Sequence, residues 1–95
     1  MGKVTVNQDK VNLLKRQQMI VSRFQAKAAL AGAGLLPQVE TLMADESTPI
    51  VTRLAWQDAL EFRRLSPTIL AMGAALGLTE QQLDDLFEAA KDIEA

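Results

Sequence analysis

The chain has 95 residues, of which 48% are hydrophobic and 23% charged, with a formal net charge of −2. That is material for one small domain, since two independent cores would need more chain. There is neither Cys nor His, which excludes disulfides, thiolate zinc sites, thiol nucleophiles and the commonest general base.

Ala and Leu supply 14 residues each, Tyr is missing, and the large aromatics are Phe24, Phe62, Phe87 and Trp56. This mix favours helix over sheet. The chemistry left is that of carboxylates, Lys and Ser/Thr, which needs a supported pocket that a small helical domain rarely builds. The expectation is a non-enzymatic protein with no catalytic or metal-binding residue, no cofactor and no small-molecule substrate. No stretch approaches the ~18 apolar residues of a membrane span, and the first ten residues lack the apolar run of a secretory signal. A cytoplasmic protein that does not enter a membrane is expected.

In chain order, residues 1–7 read as a flexible N-terminal arm, in which the alternation of Val4 and Val6 is too short to argue strongly for a strand. Asn7 or Asp9 can cap a helix of 22–24 residues that meets no Pro or Gly until Gly32. Its stripe is Leu13, Leu14, Ile20, Val21, Phe24, Ala28 and Ala31, with Met19 and Leu30 on the far side among cations. The Ala-Gly-Ala-Gly run at 31–34 ends it.

Pro37 opens a short helix with the stripe Leu36, Val39, Leu42 and Met43. Thr48 and Pro49 give a cap and a first turn for a third helix over about 49–65, whose wide apolar arc of Val51, Ala55, Trp56, Ala59, Leu60 and Phe62 predicts a central position, with Ile50, Leu54 and Leu65 near the polar side of Arg53, Gln57, Glu61 and Arg64. Ser66 and Pro67 repeat the cap-then-proline signal, Gly73 allows a close helix approach, and Gly77 stops that helix. Thr79 and Gln82 form a capping box for a last helix from Glu80 to about Ile93, with apolar residues at Leu83, Leu86, Phe87, Ala90 and Ile93. The fold expected over 8–95 is a single all-α domain, an irregular bundle of about five helices.

Charge is divided along the chain. Residues 1–39 carry six cations and one anion, residues 40–95 four cations and eleven anions, so the halves stand at +5 and −7. Attraction between the basic first helix and the acidic last helix within the fold is the simplest use of this division; contact between subunits is the alternative. Nucleic acid is a poor partner for either helix. The cations Lys10, Lys15, Arg16, Arg23 and Lys27 are spread around the first. A helix-turn-helix reading of Leu76–Thr79 would send Glu80, Asp84, Asp85 and Glu88 toward phosphate. Asp84, Asp85 and Glu88 lack the spacing and glycine of a calcium loop, and Asp58 with Glu61 has no supporting base for paired-carboxylate work. By residue type, the interface candidates are Met19, Arg23, Lys27, Leu30, Trp56, Arg63 and Arg64, although a lone Trp in a small domain is more often core, and Arg63 and Arg64 are expected to bridge to the acidic side.

Several blocks carry a resemblance: Arg23-Phe24-Gln25-Ala26-Lys27-Ala28-Ala29-Leu30; Gly34-Leu35-Leu36; Ala55-Trp56; Phe62-Arg63-Arg64 with Ser66-Pro67-Thr68; Leu76-Gly77-Leu78-Thr79; Leu83-Asp84; Leu86-Phe87; and Ile93-Glu94-Ala95. Over about three quarters of its length the chain resembles a family of small uncharacterised proteins encoded in the tail region of phages and prophages, Mu-like prophages among them. The resemblance implies a virion or assembly role in a bacterial host and no activity. It leaves three expectations: a tail-associated structural or interaction module that forms homodimers or binds a tail protein, a transient tail-assembly chaperone, and, least favoured, a DNA-binding regulator.

Overall fold

The computed structural model describes residues 8–95; the arm over 1–7 and the side chains of Asn7 and Asp9 lie outside the described residues. The described elements are α1 (Gln8–Gln17), β1 (Ile20–Ser22), α2 (Arg23–Gly32), α3 (Leu36–Ala44), α4 (Ile50–Asp58), β2 (Glu61–Arg63), α5 (Pro67–Leu76) and α6 (Glu80–Lys91). The architecture is a helical bundle with one short two-stranded ribbon.

The ribbon corrects two helix assignments. β1 and β2 pair antiparallel, with Val21 opposite Phe62 and Ile20 opposite Arg63. It divides the long helix expected from residue 8 to Gly32 into α1 and α2, and the one expected over 49–65 into α4 and β2. Neither break has a Gly or Pro. The first lies at the β-branched pair Ile20-Val21, directly before a capping box in which Ser22 Oγ accepts from the Gln25 amide at 3.0 Å and Gln25 Oε1 accepts from the Ser22 amide at 2.9 Å. The second follows the extended Ala59, and from there Glu61, Phe62 and Arg63 alternate out, in, out. Backbone bonds extend the pairing, from Arg23 N to Leu60 O and from Arg64 N to Met19 O, both 2.9 Å.

The remaining boundaries follow their local chemistry. Gly34 and Gly77 adopt φ of 75° and 71°. After each, a backbone amide reaches back to close a Schellman motif: Leu35 N to Leu30 O at 2.8 Å and Leu78 N to Gly73 O at 2.9 Å. Pro37 lies in the first turn of α3, and Ser66 caps α5 by accepting from Ile69 N at 3.3 Å. Thr48 does not cap α4. It is buried, and its hydroxyl donates to Leu42 O at 2.7 Å, tying the loop back onto the end of α3.

The core joins Val21 and Phe62 of the ribbon to Leu30, Val39, Met43, Trp56, Ile69, Met72, Leu83 and Phe87. Phe62 stacks on Trp56 with ring centroids 5.5 Å apart. The helix carrying Trp56 is not central as expected: Trp56 is its only buried residue, Val51 is 73% exposed and Leu60, just beyond it, 76%. The stripe assigned to the first helix also dissolves, because the ribbon interrupts its period. Of that stripe Val21 is buried, whereas Leu13, Leu14, Ile20 and Phe24 are exposed.

Candidate interaction face

Arg64, one residue past β2, has a side chain that is 0% exposed. Its Nε donates to Asp84 Oδ1 at 2.9 Å, and its Nη2 donates to Glu80 Oε2 at 2.9 Å and to the Glu80 carbonyl at 3.2 Å. Arg16 of α1 grips the same carboxylate, with Nε at 2.9 Å from Oδ1 and Nη2 at 2.8 Å from Oδ2. Asp84 is thus shared by two guanidinium groups, and the hydrogen bond from Arg16 holds its carboxyl below the usual range, aided by the charge of Arg64. Charge-assisted pairs of this kind are strong and directional. Here they tie α1 to α6, because α1 has no extensive packing against any other element. The two oppositely charged ends of the chain therefore meet inside the fold through Arg16 and Asp84.

Most of the interface candidates chosen by residue type belong to the interior. Leu30 is 3% exposed and Trp56 2%, Met19 packs half-buried against the core, and Arg64 is enclosed by the carboxylates of α6. A surface patch of Met19 with Leu30 does not exist in this fold: the ribbon turns the start of α2 so that Leu30 faces the core. Lys27 lies with Nζ 5.3 Å from the centre of the Trp56 ring, and Arg23 donates from Nη1 to Gln57 O at 2.6 Å. Both are thereby engaged within the chain. Arg63 alone of the seven is mainly exposed, with Nη2 4.0 Å from Glu61 Oε1.

Large apolar side chains are exposed at Leu13 and Leu14 of α1, at Ile20 and Phe24, and on α4 and α5, which pack against each other. On α4 the exposed residues are Ile50, Val51, Leu54, Gln57 and Asp58, which fall on one arc at 100° per residue. Three of the five are large and apolar. On α5 the buried side is Thr68, Ile69, Met72 and Gly73, and the exposed residues are Pro67, Leu70, Ala71, Ala74 and Ala75. Not one of them is polar. A helix apolar on every side is ordinarily enclosed, yet α5 leaves half of its circumference uncovered. The sequence sets Ile50 and Leu54 near the polar side of their helix, but reading that helix as central misplaced Val51 and left the outer side of α5 unnoticed; the available signal was the run Pro67–Leu76, ten residues without a charge in a chain that is 23% charged.

A second apolar feature is a groove of about 690 Å³ between α2 and α6, lined by Gly32, Ala33, Leu35, Leu86 and Ile93 together with Asp85. Its large apolar side chains, Leu35, Leu86 and Ile93, are half-buried against the core, whereas Ile50, Val51, Leu54 and Leu70 are exposed, so α4 and α5 offer more apolar surface to a contact.

Among the described residues no helix is long and apolar enough to cross a membrane, and no three His, Cys, Asp or Glu side chains form a group suited to a metal ion. The capping residues Thr79 and Gln82 serve the start of α6: Thr79 Oγ1 accepts from Gln82 N at 3.1 Å and Gln82 Oε1 from Thr79 N at 2.8 Å. Comparison with protein-family models, with curated proteins and with solved structures returns no match for this chain.

Proposed function

We propose that this protein is a non-enzymatic interaction module of a phage or prophage tail, working in the bacterial cytoplasm and in the assembled particle, and that the α4–α5 face is its contact surface. The observation that carries the interaction role is the apolar outward arc of both helices, with Ile50, Val51, Leu54 and Leu70 exposed. Large exposed apolar areas mark contact sites in soluble proteins. The assignment to a tail rests on the resemblance of the blocks from Arg23 to Ala95. Duplex DNA is disfavoured as a partner, because the helix following the Leu76–Thr79 turn presents the exposed Glu80, Asp85 and Glu88.

A photo-crosslinking residue placed at Leu54, in cells carrying the complete prophage, is expected to capture a tail component, whereas the same residue at Gln38 on the polar surface of α3 is not. Capture at both positions alike, or at neither, would contradict the reading. Mass spectrometry of purified induced particles then separates a resident subunit from a transient assembly chaperone: the subunit is found in the particle and the chaperone only in the cell.

A further inference from the structure

We propose that α1 is a strap that opens and closes on a body formed by the rest of the described fold, with Arg16 as its latch and Asp84 as its catch. This device is independent of the α4–α5 face. The first argument is packing. None of the described side chains of α1 is buried: Val11, Asn12 and Arg16 are half-buried, and Leu13 and Leu14 are exposed. A helix in a small domain is ordinarily held by burying an apolar stripe, and one of ten residues is marginal in water without that support. α1 lacks a buried stripe, and a cleft of about 230 Å³ lies between it and α6, lined by Asn12 and Lys15 on one side and by Gln81, Asp85 and Glu88 on the other. Arg16 reaches from α1 to the carboxylate of Asp84, with Nη1 also 3.6 Å from Glu80 Oε2.

The second argument is that the body keeps its order when α1 leaves. Asp84 remains oriented by Arg64, whose Nε donates to the same carboxylate from a fully buried side chain and whose Nη2 is held by Glu80. The catch therefore persists without Arg16, and the buried guanidinium keeps both of its acids. At the other end the chain is pinned at Met19, whose carbonyl accepts from the Arg64 amide at 2.9 Å and whose side chain packs against the core. α2 starts on its own capping box at Ser22 and Gln25. Gln18, exposed between α1 and Met19, is the hinge: rotation there moves α1 and leaves the ribbon, the core and α6 in place.

Amide hydrogen exchange on the whole chain, followed residue by residue by NMR, tests this. In the wild type the amides of Leu13 and Leu14 should be protected, yet exchange at least about tenfold faster than those of Phe87 and Ala90, because the strap opens without the body. Arg16→Gln should speed Leu13 and Leu14 by a further factor of about ten or more, through loss of a charge-assisted pair, and leave Phe87 and Ala90 at their wild-type rates. Lys15→Gln removes a cation of the same helix outside the latch and should leave all four amides unchanged. Wild-type protection at Leu13 equal to that at Phe87, or none at all, would overturn the proposal. So would an Arg16→Gln variant with unchanged exchange in α1, one in which Phe87 accelerates in step with Leu13, or an equal effect of Lys15→Gln.

Discussion

Gly73 of α5 lies directly against Leu83 of α6: a Cβ added to Gly73 would sit 2.6 Å from Leu83 Cδ1 and 3.3 Å from Cγ. Leu83 is itself buried in the core, so its side chain has little room to withdraw. Two effects of opposite sign then compete in Gly73→Ala. Helix propensity favours Ala by ~1 kcal/mol, while overpacking a dense core costs ~1–3 kcal/mol. The contact is short enough for packing to win. Urea denaturation should show a net loss of stability, with part recovered in Gly73→Ala combined with Leu83→Val. A stabilised Gly73→Ala would mean that α5 and α6 are farther apart.

Removing the Asp84 carboxylate should be among the costliest single changes in the chain. Asp84→Ala leaves Arg64 charged and fully enclosed with Glu80 as its remaining acid partner, and leaves Arg16 without its bidentate acceptor. Breaking one side of a buried pair costs ~3–5 kcal/mol. Glu88→Gln, which removes only the exposed pair with Lys91, should change stability by less than ~0.5 kcal/mol. The comparison is read from two denaturation curves, and equal midpoints for the two variants would contradict the tie between α1 and α6.

Acid should act through the same carboxylate. The folded-state pKa of Asp84 is lowered from 3.8, by the hydrogen bond from Arg16 first, so the folded protein holds the ionised form more firmly than the unfolded chain does. Its contribution is fully present above pH ~5 and is lost as the pH falls below about 4 toward the depressed folded value. Asp45 is lowered in the same sense by the Ser47 amide and hydroxyl, within one exposed turn. Thermal melts of the wild type should therefore hold steady from pH 7 to about 5 and then fall, and Asp84→Asn should fall less steeply over the acid range.

Two capping boxes start α2 and α6. Ser22→Ala and Thr79→Ala each remove the acceptor for an amide in the first turn and should each cost ~0.5–2 kcal/mol. Because Ser22 ends β1 and begins α2 at once, its loss should also raise amide exchange at Val21. An unchanged midpoint in either variant would show that the helix begins elsewhere.

The boundaries legible in the sequence are those written in local chemistry: Gly34, Pro37, Ser66-Pro67, Gly77 and Thr79 with Gln82 all act where they stand. The ribbon was not legible, because its cause is long-range. Val21 and Phe62 are 41 positions apart, and their pairing overrides two stretches whose composition suits helix. Even so, Ser22 to Gln25 repeats the pattern of Thr79 to Gln82, and reading it the same way would have divided the first helix. Losing the ribbon also misplaced the surface. A continuous helix over 49–65 puts Val51 and Leu60 on the inside with Phe62, and only the turn after Asp58 frees Phe62 to face inward while they stay in solvent. Arg64 was foreseen as a bridge to the acidic side, but the sharing of Asp84 with Arg16 depends on where α1 rests.

The central claim, that the exposed α4–α5 face serves contact and not folding, is tested most directly by one variant measured two ways. In Val51→Glu with Leu54→Glu, both substitutions fall on the exposed arc of α4 and leave Trp56 and Phe62 untouched. With the photo-crosslinking residue at Leu70 in wild type and variant alike, thermal unfolding of each purified protein is set beside the yield of crosslinked tail component in cells carrying the prophage. The expected result is an unfolding temperature within a few degrees of the wild type with crosslinking abolished. An unfolding temperature lowered as for a core substitution, or crosslinking at the wild-type yield, would contradict it.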